Sequence, residues 1–147
     1  MTLDKEKSAG FLINYLARLF CRKLHQRIQP LGIVTGQFPI LRELWEKDGV
    51  TQRELLQKLD IVQATLANTL TRMERDGLIK RTKHPFDARA QQIWLTEQAS
   101  AIKTDAYGAA KQVNQEALAG LSSGERLHFL ELMWKLIQKI KVTKAVR

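Results

Sequence analysis

The segment Gln63-Ala64-Thr65-Leu66-Ala67-Asn68-Thr69-Leu70-Thr71-Arg72 sets two side-chain amides five residues apart and follows them with a guanidinium. These groups do their chemistry by hydrogen bonding. Asn and Gln amides match an adenine edge bidentately, and Arg matches a guanine edge or a phosphate. Further on, Asp87 and Arg89 stand two apart in His84-Pro85-Phe86-Asp87-Ala88-Arg89-Ala90, a stretch broken by proline. Covalent chemistry has no comparable support. His25, His84 and His128 are far apart and lack metal-ligand spacing. With no nucleophile–base arrangement, Gly-rich phosphate loop or paired catalytic acids, neither an enzyme nor a metal or cofactor site is expected.

These residues need elements to position them. On a helical wheel of about 100° per residue, Val62, Leu66, Leu70 and Met73 form one stripe, expected to be core. The opposite face collects Ala64, Asn68, Thr71 and Arg75, flanked by Thr65 and Arg72. A plain solvated helix would more usually carry Glu and Lys there. Small residues permit close approach to a surface. The preceding stretch, Thr51-Gln52-Arg53-Glu54-Leu55-Leu56-Gln57-Lys58-Leu59, opens with a capping box of Thr51 and Glu54. Three residues separate it from the next helix, which runs to about Asp76 with Gly77 as its C′ residue. Two short helices joined so tightly predict a helix-turn-helix. Residues 78–83 and 91–96 alternate like the strands of a hairpin. A hairpin behind a recognition helix is a wing. Its Arg89 tip can enter a minor groove, with Asp87 clamping the guanidinium in a reaching rotamer and Lys80, Arg81 and Lys83 along the phosphates.

The rest of the chain reads as helix. Residues 8–29 repeat apolar side chains every three or four positions until Pro30. Thr35 is expected to cap a helix carrying Phe38, Leu41, Leu44 and Trp45, with Pro39 in its first turn and Asp48-Gly49 closing it. A long helix is expected over 97–119, then another opened by the capping box Ser122 and Glu125. That last helix is apolar on more sides than one core stripe needs, which by itself suggests a dimer surface.

The chain has 147 residues, 44% of them apolar, enough for one compact domain with a core. Its net charge is +9, with 24 Lys and Arg against 15 Asp and Glu. Residues 31–60 sum to −1, residues 61–96 to +3, and both flanks are positive. Such a balance favours a polyanionic partner, although solubility alone would also account for it. No secretion signal and no transmembrane span are read, and one cysteine forms no internal disulfide. A cytoplasmic protein is expected, with no membrane partner.

Asp87-x-Arg89, followed after five residues by Leu95-Thr96, resembles the wing signature of the MarR family of bacterial winged-helix regulators. Segments 36–44, 51–59 and 69–81 stand around it in the family's order, and the resemblance spans nearly the whole chain. It implies a mainly α fold with a small β-hairpin wing. A winged helix-turn-helix DNA-binding domain over 35–96 would be flanked by helical dimerisation regions, 1–34 and 97–147. Ala88 departs from a position that is often basic in the family, and Val34 stands where a capping Thr is common.

The resemblance also implies function: a homodimeric transcriptional regulator, expected to be a repressor, on a palindromic operator in double-stranded DNA. Gln63, Ala64, Thr65, Asn68 and Arg72 would read bases. Thr51, Gln52, Arg75, Lys80, Arg81 and Lys83 would hold the backbone, and Asp87 and Arg89 would form the wing tip. A small aromatic or anionic effector would sit near Tyr15, Arg18, Phe38, Arg42 and Trp45. The three aromatics read more readily as ordinary core, and the two arginines as solvated or paired. Cys21 reads as a buried structural residue or as an oxidant sensor. Two rivals stand: a winged-helix protein-interaction module and a nonspecific architectural DNA binder. An interaction module should show aromatics or Leu on the outward face of 62–76, and that face has none.

Overall fold

The computed structural model describes residues 4–145, with side chains through residue 141. Ten principal elements run in order: α1 Ala9–Ile28, α2 Phe38–Glu46, β1 Val50–Thr51, α3 Gln52–Leu59, α4 Gln63–Arg75, β2 Ile79–Lys83, β3 Gln91–Leu95, α5 Glu97–Ala101, α6 Lys103–Ala117 and α7 Ser123–Ala145. The expected mainly α fold with a small wing is what forms. By contact density the chain divides into two compact units, 1–110 and 111–147. No helix among the described residues is long and apolar enough to cross a membrane.

The core of the first unit is built where the periodicity placed it. Leu41 and Leu44 of α2, Leu55 of α3, and Leu66, Leu70 and Met73 of α4 are all buried, together with Ile93 of β3. Val62 is the exception to the expected stripe, at 69% exposed. It is the N-cap of α4 with an extended backbone, φ −69° and ψ 136°, so the helical wheel does not apply to it. The capping box of α3 forms as expected: the Thr51 N–H donates to Glu54 Oε2 at 2.8 Å and the Glu54 N–H to Thr51 Oγ1 at 3.2 Å. Gly77 closes α4 with φ 77°. Its N–H donates to Glu74 O and the Leu78 N–H to Met73 O, a Schellman pair.

Three expectations need correction. Thr35 does not cap α2, since it lies in a preceding turn and the N-cap is Gln37. The buried Gln37 side chain accepts from the Val34 N–H and donates to Asp76 Oδ2, both at 3.1 Å, which satisfies it and ties α2 to the end of α4. The hairpin has a third strand: β1 pairs with β3, giving the antiparallel order β1-β3-β2 with Val50 opposite Ile93 and Ile79 opposite Leu95. The helix expected over 97–119 breaks at Ile102 into α5 and α6. The break falls where the buried Trp45 Nε1 donates to Ala99 O at 2.9 Å, the carbonyl an unbroken helix would offer to Lys103.

In the second unit, Ser122 and Glu125 form the expected capping box at the start of α7. The Ser122 N–H donates to Glu125 Oε1 at 2.9 Å and the Glu125 N–H to Ser122 Oγ at 3.1 Å.

Candidate nucleic-acid interface

A half-open concavity of about 790 Å³ lies between the start of α3, the start of α4 and the hairpin. Thr51, the N-cap of α3, lines it with Gln52 and Arg53 from the first turn of that helix, and Gln63 lines it from α4. Arg81 and Lys83 line it from β2, and His84 and Asp87–Ala90 from the loop. Six sequence-predicted backbone-binding, base-reading or tip residues thus meet at one surface with Arg89: Thr51, Gln52, Gln63, Arg81, Lys83 and Asp87. Four of the lining side chains, Arg53, Arg81, Lys83 and Arg89, are cationic, and Asp87 is the one anion. The positive end of the α3 helix dipole adds to that field. The arrangement attracts a polyanion.

On α4, Gln63, Ala64, Thr65, Asn68, Arg72 and Arg75 are all exposed. Burying Leu66, Leu70 and Met73 on one side forces Ala64, Thr65, Asn68, Arg72 and Arg75 to the other, while Gln63 is exposed as the first residue of the helix. Thr71 Oγ1 bonds back to Ala67 O at 3.0 Å, and Arg75 Nε to Asp76 Oδ1 at 3.3 Å. Ala64, Thr65, Asn68, Arg72, Arg75 and Lys80 do not line the concavity, although all are exposed.

Arg81 is set apart from its neighbours on the strand. Its side chain is only 19% exposed, with Nε 3.8 Å from Glu74 Oε2 and Nη2 bonded to Thr71 Oγ1 at 3.4 Å. It therefore braces β2 against α4, whereas Lys80 and Lys83 are exposed.

The wing tip differs from the expected clamp. Asp87 Oδ1 accepts from the backbone N–H of Arg89 at 3.0 Å, so the carboxylate fixes the turn and not the guanidinium rotamer. The chemistry is that of an Asx turn, in which the short carboxylate reaches the amide two residues on. Among the lining residues that sequence reasoning missed are Arg53 and His84. Arg53 sits in the first turn of α3, and a basic residue just after an N-cap at a groove was the available signal. His84 shows no such signal, yet its Nδ1 accepts from the N–H groups of both Phe86 and Asp87 at 3.1 Å.

The five residues expected at an effector site fall into two sets. Tyr15, Arg18 and Arg42 are exposed, with the Arg18 guanidinium 5.6 Å from the centre of the Tyr15 ring. Phe38 and Trp45 are buried and meet edge-on at 6.0 Å, and Trp45 meets Tyr107 at 5.3 Å. Cys21, expected to be more readily a buried structural residue, is exposed. Among the described residues no cluster of three or more His, Cys, Asp or Glu side chains is placed to hold a metal ion.

Residues 35–90 match the model of the MarR family. The chain is 34% identical over 101 residues to the transcriptional regulator HosA of Escherichia coli O111:H-, spanning 69% of this chain and 75% of that protein. A MarR transcriptional regulator from Methanosarcina mazei Go1 superposes with a TM-score of 0.77 at 28% identity, over 89% of this chain and 96% of that one. A mutant MarR from Escherichia coli complexed with operator DNA gives 0.80 at 26% identity, over 86% and 91%.

Proposed function

We propose, because this chain belongs to the MarR family of transcriptional regulators, that it binds a palindromic operator as a homodimer and represses transcription there. The observation that carries the reading is the pairing of an exposed α4 face with an adjoining cationic concavity that ends at the wing. In this reading Gln63, Ala64, Thr65, Asn68 and Arg72 face the major groove. Thr51, Gln52, Arg75, Lys80 and Lys83 contact backbone phosphates. Arg53 joins that set, and Arg81 acts by holding the wing against α4. Asp87 shapes the turn that presents Arg89 to the minor groove. A regulator similar in fold and 26% identical has been seen with operator DNA, which supports the assignment.

Residues 35–96 then form the DNA-binding part, and 1–34 with 97–147 the dimerisation region. The apolar side chains exposed on α1 and α7, among them Leu12, Leu16, Leu130 and Ile137, support a partner on these helices. A dimer of two such domains fits half-sites separated by about 34–36 Å, one helical turn of DNA. An aromatic or anionic effector that prefers the DNA-incompetent spacing would release the protein, by no more than its differential affinity for the two states. Tyr15 and Arg18 are the exposed pair suited to it. Phe38 and Trp45 are buried core in this reading.

Enrichment of duplexes from a random library by the full-length protein is the test. A palindromic consensus bound at least about a thousandfold tighter than random DNA is expected. A ratio near one would make it an architectural binder, and no enrichment would make it an interaction module. Asn68→Ala should relax one position per half-site by about 1–3 kcal/mol. A loss uniform over all operator variants would make Asn68 a phosphate contact.

A further inference from the structure

Phe86 is 92% exposed, and among the described large apolar side chains the next is Val62 at 69%. A lone exposed phenylalanine is common on protein surfaces and means little by itself. Its setting here is different in two respects.

The loop that carries it is held rigid. The His84 N–H donates to Ala90 O and the Ala90 N–H to Asp87 O, both at 3.1 Å. His84 Nδ1 accepts from the Phe86 and Asp87 N–H groups, and Asp87 Oδ1 from the Arg89 N–H at 3.0 Å. Pro85 fixes the backbone just ahead of the ring. The His84 ring meets the Phe86 ring at 6.1 Å and 64°. The backbone that carries this side chain is thus ordered before any partner arrives. The surroundings are also charged: Lys83 and Arg89 flank Phe86 in sequence, and with Arg53 and Arg81 they line the adjoining concavity.

A rigid apolar ring beside cations complements a surface that is apolar within and anionic at its rims. The minor groove of DNA offers that surface where a base step opens, with sugar walls and the unstacked base faces between two rows of phosphate. We propose that Phe86 is an apolar wedge that enters the minor groove beside Arg89 and packs into a base step, while Lys83 neutralises a bordering phosphate. The inference rests on the DNA-binding reading above and assigns a role to a residue outside it.

The test uses the full-length protein and the duplex it enriches, with 2-aminopurine placed in turn at each step beneath the wing. Wild-type protein should raise the fluorescence at one step per half-site. Phe86→Ala should abolish that rise and weaken binding about tenfold, with the salt dependence unchanged. Phe86→Leu and Phe86→Trp should stay within about threefold of wild type, because either side chain can still wedge. Lys83→Ala should instead lower the salt slope by about one. Thermal melting of Phe86→Ala should match wild type, since the ring is exposed. Wild-type affinity and an unchanged fluorescence pattern in Phe86→Ala would overturn the wedge and leave the DNA-binding reading standing. If wild-type protein enriches no duplex, that reading falls and the wedge with it.

Discussion

In α4 the large apolar residues are the buried ones: Leu66, Leu70 and Met73 have no exposed surface, and the amides and arginines face out. In α7 the relation is reversed. Leu127, Leu130, Leu132, Trp134, Leu136, Ile137 and Ile140 are each more than 40% exposed and are spread around the helix. The two helices carry Leu in similar proportion, so the leucines alone do not distinguish them. What differs is whether the surrounding chain supplies a cover. The winged region closes its own core and has its polar face free for a ligand. The α7 helix holds apolar area that water disfavours by roughly 25 cal/mol per Å² and that a second chain can remove from water.

The largest effect should come from attacking that uncovered surface. Glu at both Leu130 and Ile137 would place carboxylates in the proposed dimer interface, at a cost of several kcal/mol per buried ion. Sedimentation should show loss of the dimer, and operator affinity should fall by at least about a hundredfold, since half-sites would be bound singly. The circular dichroism of the winged region should persist. A dimer of wild-type strength would mean that α7 is covered in some other way, and the contrast with α4 would lose its meaning.

Damage inside the winged region should do the opposite, lowering stability while leaving association intact. Gly49 has φ 73°, and a Cβ there would lie 2.6 Å from Trp94 Cη2. The Trp94 ring is itself fixed by its Nε1 bond to Thr82 Oγ1 at 2.8 Å. Gly49→Ala should therefore cost about 2–4 kcal/mol, read by urea unfolding. Adding Trp94→Ala should relieve the clash, making the double variant less unstable than the two single costs combined. Gly77→Ala is the control: its φ is 77°, but the new Cβ meets only the end of the Gln98 side chain at 3.3 Å. It should cost about 1–2 kcal/mol.

These positions also mark what a sequence can and cannot show. The capping boxes, Gly77 and the stripe of Leu66, Leu70 and Met73 were legible because each is a local rule acting within a turn or two of helix. The same holds for the order of the elements and for the exposed face of α4. Strand β1 was not legible, since two residues are too few for alternation to register. The break at Ile102 depends on Trp45, whose indole reaches a carbonyl 54 residues away. Gln37 depends on Asp76, 39 residues away. In the candidate site, residue types were read correctly as cationic or amide, but not what each one touches. Arg81 turns to Glu74, Asp87 to a backbone amide and His84 to two backbone amides, and these are choices of rotamer that only packing decides.

The caps allow the two regions to be compared with chemistry held constant. Thr51→Ala in α3 and Ser122→Ala before α7 each remove one hydroxyl from one capping box, at a cost of about 1 kcal/mol to the helix. The Thr51 cost should appear in full as global stability at any protein concentration. The Ser122 cost should appear as a weaker dimer at micromolar protein, because α7 is stabilised there by association. Equal effects at every concentration in both variants would mean that α7 folds without a partner.

The smallest effect is electrostatic and belongs to the same cap. The Glu125 carboxyl is held below the usual 4.5, first by the hydrogen bond from the Ser122 backbone N–H and then by the Ser122 hydroxyl, with a smaller loss of hydration opposing both. Its folded pKa is thus depressed relative to the unfolded chain. The stabilisation is present above the unfolded pKa and is lost as the pH falls through the folded one. The group is fully exposed, so water and salt screen most of the benefit. Carboxyl chemical shifts followed from pH 7 to 2 should show Glu125 titrating below a reference glutamate. In Ser122→Ala the midpoint should rise only part of the way back, because the backbone N–H, the larger of the two causes, remains. A midpoint at the reference value in wild type would mean that the box is open in solution and that α7 frays at its start. A full return in Ser122→Ala would instead assign the cap to the hydroxyl alone.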